Sequence, residues 1–459
     1  QFGGIGIVVH QKNGHVFIND IYEDSPAERA GLQLGDRIIE INGEPTMDRP
    51  FAEVREMMRG EAGSLITLSV GRYGAEEART IEMRREVMQI DNISYYGVIQ
   101  GSKTGYIALE GFTGSADREV IYAFNYLKRE HDIENLIIDL RNNSGGLVEE
   151  AINIINLFVE RNKEVVKIRS RIEERNMSYK TLNRPLDLEI PLAIIVNENS
   201  ASASEVVAGV IQDLDRGIII GQRTFGKGSV QRILPLSYNS ALKVTVARYY
   251  IPSGRSVQKD NLSQEEGDQV STPDSLETTY TTANGRIVLG GGGIRPDIAT
   301  EPIEYSNITL ALYNGAHIFD FADYFFRNNR SIPQPRQFAI TDRIYNDFVK
   351  FLEGRDYSYS SESELVINYL RSIAERDNHL DAIGGLIDDM EKRIAESKQD
   401  DLIAHRDEIS ALLRPEIVHR FYRREGRKIS GLKDDKDVLK AVQILQNREK
   451  YNQILSPNK

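Results

Sequence analysis

The sequence predicts a multidomain α/β protein: a small β-rich N-terminal unit, a larger core of alternating strands and helices, and a helical C-terminal region. Three observations carry this. Residues 1–86 hold short apolar runs separated by Gly, Asn and Asp. Residues 87–306 alternate strand-like with helix-like segments. From 307 to 459, charged segments of helical period dominate.

In the first unit, "GIGIVV", "HVFINDIY", "DRIIEING" and "LITLSVGR" read as strands. "SPAERAG" and "PFAEVREMMRG" read as short helices. Ser25 is placed as an N-cap, Pro26 as the first helical residue and Gly31 as the stop. In the core, "TGYIALEGF", "ENLIIDLR", "PLAIIVNE" and "RGIIIGQ" alternate with the helical patterns of "DREVIYAFNYLKRE", "LVEEAINIINLFVE" and "SEVVAGVIQDL". Apart from Asp139, "LIIDL" and "LAIIV" are continuous apolar runs, as central strands covered on both faces should be. Residues 270–285, "VSTPDSLETTYTTANG", read as a polar loop. The amphipathic patterns after 307 suit self-association or docking of a partner.

Composition excludes several classes. The 57 Lys and Arg against 69 Asp and Glu give a net charge of −12, which argues against nucleic-acid binding through a basic surface. No apolar run approaches the roughly 20 residues of a membrane-spanning helix. The absence of Cys removes disulfides and thiol catalysis. His and acidic residues show no metal-type spacing, and neither metal nor organic cofactor is expected. The chain opens on Gln1 inside a patterned segment, so we expect that the natural N-terminus, with any export signal, has been removed.

The informative stretch is "NENSASASEVVAGV", residues 197–210, with serines at 200, 202 and 204. Ser202 and Glu205 have the spacing of a helix-starting capping box, a purely structural reading. The same corner exposes a serine at a helix N-terminus, where the next amide, that of Ala203, can stabilise an oxyanion. Such a serine needs a base. Of the seven histidines only His131 lies in the α/β part, in the charged stretch "KREHDIE". Lys227, in "GQRTFGKGSVQ", lies between two glycines in an otherwise small and apolar setting. Desolvation favours the neutral amine of a lysine, the form that accepts a proton. Gln231, four residues on, can hold that amine.

Gly221 to Lys227 also has the frame of a phosphate-binding loop, but Gly228 stands where the magnesium-holding Ser or Thr belongs. The following "SVQRILPLSYNSALKVTVARYY" has a strand rather than a helix pattern, so nucleotide binding is disfavoured. A second glycine turn, in "IIDLRNNSGGL", is an ordinary strand–helix corner or, through Gly145 and Gly146, the other half of an oxyanion hole.

In series, "DLRNNSGG", "NSASASEVVAGVIQD", "GQRTFGKGSVQ" and "ARYYIPSGRSVQ" resemble the carboxyl-terminal processing, or tail-specific, proteases. "FGGIGIVV" and "SPAERAGLQLGDRIIEING" are similar to the carboxylate loop and signature of a PDZ domain, which precedes a serine–lysine protease core in that family. The resemblance covers about residues 1–305. It implies a PDZ domain at 1–86, an α/β sandwich protease core at 87–306 and an accessory helical region at 307–459. The helical tail is not a general feature of the family.

The resemblance also implies Ser202 as nucleophile, Lys227 as general base, Gln231 orienting the lysine and Glu205 beside the nucleophile. The oxyanion hole falls to Ala203 with Gly145 or Gly146. Amides of Gly3, Gly4, Ile5, Gly6 and Ile7 would bind a substrate's terminal carboxylate, with Ile5, Ile7 and Val54 selecting an apolar last residue. The implied reaction is peptide hydrolysis through an acyl-enzyme on proteins with apolar C-termini, outside the cytoplasm. The alternative is an inactive PDZ scaffold, against which the joint presence of Ser202, Lys227 and Gln231 argues.

Overall fold

The computed structural model describes residues 2–456 except 13, 73–76, 89–90, 237–239, 260–277 and 399. The chain packs as two compact units. Residues 1–90 join 303–431, and residues 91–302 join 432–459. The last 28 residues of the helical tail therefore belong with the α/β core, a division different from the one read off composition.

In the first unit a sheet runs in the order 7–12, 15–21, 37–41, 65–71, 79–84, with neighbours antiparallel. Helix Phe51–Met58 buries Val54 and Met58 in the core with Ile18, Ile38, Ile66 and Leu68. Ser25 caps its short helix by accepting the Glu28 amide, with Pro26 at the first position. The helices of residues 307–431 share this unit with the sheet. The helix Arg406–Leu432, interrupted at Arg423, brings His419 and Arg424 to Asp20, 3.1 and 3.0 Å away. Lys12 reaches Asp320 at 2.9 Å.

In the second unit a six-stranded sheet has the order 298–299, 218–221, 192–196, 135–139, 104–109, 93–98. All neighbours are parallel except the last pair. Strands Asn135–Asp139 and Leu192–Val196 are buried at every residue, which is why their sequences show no alternation. Helices Ala116–His131, Val148–Phe158 and Ala203–Asp213 bury their apolar faces in the same core. Strands 164–170, 177–180, 229–235 and 241–250 form a second, antiparallel sheet. The segment read as a polar loop contains a strand, Thr279–Thr281, paired with Ile287–Leu289, and its residues 270–277 lie outside the described residues. Helices Lys436–Gln446 and Arg448–Leu455 complete this unit. Among the described residues no helix is long and apolar enough to cross a membrane.

Candidate active site

Strands 135–139 and 192–196 run parallel, so the chain leaves both at the same sheet edge, the usual place for a site in an open α/β sheet. The loops at 140–147 and 197–202 meet there. Ser200 and Ser204 are fully buried and structural. Ser200 Oγ donates to Leu140 O and Ser204 Oγ to Asn143 O, each at 2.8 Å, which pins one loop to the other. Ser202 is different. It retains solvent access while Ala201, Ala203, Ser204 and Glu205 are buried.

Its backbone has φ 56° and ψ −112°, a conformation that disfavours any side chain and costs about 1–3 kcal/mol. An ordinary N-cap sits in the β region, so a merely structural serine has no reason to accept this. The surroundings hold it there. The Ala201 amide donates to Asn143 O at 3.0 Å, and the Ser202 amide donates to Glu205 Oε2 at 2.9 Å.

Glu205 is the hub. Fully buried, its carboxylate accepts the Thr224 hydroxyl at 2.6 Å and the Gly226 amide at 2.7 Å on Oε1. Oε2 accepts the amides of Ser202 and of Lys227, the latter at 2.8 Å. Burial pushes its pKa up, opposed by these hydrogen bonds. One carboxylate thus fixes the backbones of both the candidate nucleophile and the candidate base.

Lys227 is half-buried. Among the described residues its ammonium has no carboxylate at ion-pair distance, and no hydrogen bond joins it to Ser202 Oγ. Hydrogen bonds between a general base and its proton donor commonly tighten only around substrate. The chain continues into strand Ser229–Pro235, so the helix that a phosphate-binding loop needs is not formed. Gln231 lies exposed on that strand beside a register shift, and among the described residues its side chain makes no hydrogen bond to Lys227.

The glycine turn lies against the serine. A Cβ on Gly145 (φ 99°) would stand 2.9 Å from Ser202 Cβ and 3.0 Å from Ala203 N. The Gly145 amide donates to Asn143 Oδ1 at 2.9 Å. Gly146 forms a parallel bridge with Phe112. Asn143 went unassigned in the sequence, yet its side chain also donates to Leu109 O at 2.7 Å. The DLRNNSGG motif contained it, but nothing in residue type marks a buried organiser. Arg141, also unassigned, is held by Asp139, Asp435 and Asp437 at 2.6, 2.7 and 3.1 Å.

In the other unit, residues 3–7 form a loop before the edge strand 7–12. The Gly4 amide already donates to Glu86 O at 2.9 Å, so it is removed from the expected carboxylate donors. Ile5 and Val54, expected to line a pocket, are buried in the domain's own core, and Ile7 keeps partial exposure. Gly6 (φ 78°) could not carry a side chain, since a Cβ would sit 2.3 Å from Ser25 Cβ. The same Cβ would be 2.9 Å from Met88 Cε, so this thioether covers the loop.

The family model described as Peptidase family S41 matches residues 103–266. A PDZ domain model matches 17–72, and one described as Probable PDZ-protease, C-terminal helical domain, matches 308–445. A Staphylococcus aureus protein named probable CtpA-like serine protease is 34% identical over 81% of this chain and 73% of its own.

The chain belongs to peptidase family S41.

A carboxy-terminal-processing protease of Bartonella bacilliformis is 36% identical over 56% of this S41 chain and 59% of its own length. The chain spans between about half and two-thirds of the first such relatives. Among solved structures, a photosystem II D1 C-terminal processing protease aligns over 66% of this chain and 73% of its own at 27% identity, with a TM-score of 0.37. This family member thus joins a β-rich PDZ domain, a protease core of mixed sheets and a helical C-terminal region, in a mixed α/β chain.

Proposed function

We propose that the protein is a serine–lysine peptidase that takes polypeptides by their C-terminal ends, outside the cytoplasm. The observation that carries this is Ser202, which alone among the three serines is accessible, is held at φ 56° on a helix N-terminus, and shares the Glu205 carboxylate with Lys227. Lys227 takes the Ser202 proton as Oγ attacks a peptide carbonyl. The Ala203 amide and the helix N-terminus receive the oxyanion. The second donor is Gly146, because the Gly145 amide is occupied by Asn143 Oδ1. The lysine then protonates the leaving amine, and water attacks the acyl-enzyme with the lysine again as base. Gln231 orients the lysine from the neighbouring strand.

The PDZ domain supplies the tail specificity. Ile5, Gly6 and Ile7 amides take the terminal carboxylate, and the tail adds a strand along 7–12. Ile7 meets the apolar last side chain. The names of the relatives, as carboxy-terminal-processing proteases, support this.

The test is cleavage of an unstructured protein with an apolar C-terminus by the intact chain, Ser202→Ala and Lys227→Ala. Loss of cleavage in both variants, with tail binding retained, is expected. Undiminished cleavage by Ser202→Ala would sink the assignment, and tail binding without cleavage by the intact chain would favour a PDZ scaffold.

A further inference from the structure

The helices Glu362–Arg376 and Leu380–Lys398 form an antiparallel hairpin, cross-linked by Arg371 to Asp388 and Glu391 and by Lys398 to Glu364. Its seam buries Ile367, Ala374 and Ile387. A second apolar stripe runs beside that seam on each helix. On the first it is Val366, Tyr369, Leu370 and Ile373, at i, i+3, i+4 and i+7. On the second it is Ile383, Leu386 and Met390, at i, i+3 and i+7.

Val366, Ile373 and Leu386 each precede a seam residue by one position, so both stripes are turned by about 100° from the seam in the same sense. In antiparallel helices this brings the two stripes to the same side of the hairpin. Val366 is 65%, Tyr369 66%, Leu386 68% and Met390 52% exposed. Together they expose apolar surface on the order of a few hundred Å2, the size at which a patch marks an interaction. The opposite side carries Asn368, Ser372, Glu375 and Asp388. An amphipathic two-helix layer of this kind lacks the other half of a four-helix bundle.

We propose that a second copy of this chain supplies that half, by a two-fold, face-to-face pairing of the hairpins. The charges at the rim of the stripe favour a copy over an unrelated partner. Glu362 and Arg376 stand at the two ends of the first helix, seven residues either side of Tyr369, at the edge of the apolar side. A two-fold axis at Tyr369 sets Glu362 against the partner subunit's Arg376 and, by symmetry, Arg376 against the partner subunit's Glu362. The surface is therefore complementary to itself in charge as well as apolar at its centre.

This pairing does not depend on the peptidase assignment, and its test uses no activity. The full chain is sedimented between about 1 and 100 µM, with Tyr369→Lys/Leu386→Lys as the disrupting variant. The expected result is a wild-type dimer and a variant whose dissociation constant is at least about tenfold higher, with unchanged helical circular dichroism and melting. Glu362→Arg should weaken the dimer, and Glu362→Arg with Arg376→Glu should restore it. A wild type that stays monomeric, whether free or bound to anionic lipid vesicles, overturns the proposal. So does a dimer that the Lys variant leaves intact. A dimer weakened by Glu362→Arg that the double swap fails to restore overturns the two-fold register.

Discussion

Ser202 and Lys227, 25 residues apart in sequence, are joined through one oxygen atom: Glu205 Oε2 accepts both backbone amides, at 2.9 and 2.8 Å. In Glu205→Gln the side-chain amide meets four donors with only one acceptor oxygen, leaving buried groups unpaired at a cost of about 1–3 kcal/mol each. We expect kcat to fall at least about tenfold with tail binding to the PDZ domain unchanged. Equal turnover by Glu205→Gln and wild type would remove Glu205 from the positioning of the proposed dyad.

Burial holds the Glu205 carboxyl above its ordinary value, so the native state keeps this proton more tightly than the unfolded chain does. Its contribution to stability is full below the unfolded value of about 4.3 and is lost as pH rises through the folded one. Urea unfolding across that range should show the wild type losing stability relative to Glu205→Gln, with the difference level at higher pH. A difference independent of pH throughout contradicts the raised value.

Gly145→Ala places a methyl group against Ser202 Cβ and Ala203 N at a φ of 99°. Displacing the proposed nucleophile from the proposed oxyanion donor, the Ala203 amide, should reduce kcat about 100-fold, the scale of losing such a donor. The fold, read by circular dichroism, should persist. Normal turnover would show that the turn is mere scaffolding.

Arg141 precedes the glycine turn and is gripped by Asp435 and Asp437 from the last helices. Replacing both aspartates by Asn leaves a mostly buried guanidinium short of two charges, at a cost of about 3 kcal/mol. Urea denaturation measures this directly, and a change under about 0.5 kcal/mol would make the contact a surface pair.

Met88 covers the Gly6 loop, the proposed receptor of a terminal carboxylate. Met88→Ala should therefore raise the affinity for a peptide with a free apolar C-terminus several-fold by calorimetry. Blocking that C-terminus as an amide should abolish the gain. Weaker binding by Met88→Ala would make the thioether part of the binding surface instead.

The architecture was legible because local pattern encodes it. The apolar runs at 136–138 and 192–196 became central strands, and the turn at Ser25–Pro26 became a capped helix. Capping chemistry also marked Ser202 and Glu205, but local chemistry could not separate a cap from a nucleophile, since both need a serine at a helix start. The PDZ loop was legible as a loop, whereas the burial of Ile5 and Val54 was not, because side-chain type does not say which apolar residues face a groove.

The sequence by itself determined the order of strands and helices, the S41 and PDZ motifs and the set of candidate residues, all properties of neighbours in the chain. The tertiary structure decided which serine is accessible: Ser200 and Ser204 are buried, while bonds from Asn143 and Glu205 hold the backbone around Ser202 at φ 56°. It also decided where the tail goes. Arg141 meets Asp435 across 294 residues and Asp20 meets His419 across 399, so the last helices join the core while the preceding ones join the PDZ sheet. Such long-range polar pairs leave no periodic trace, because each partner is an ordinary polar residue until folding removes it from water.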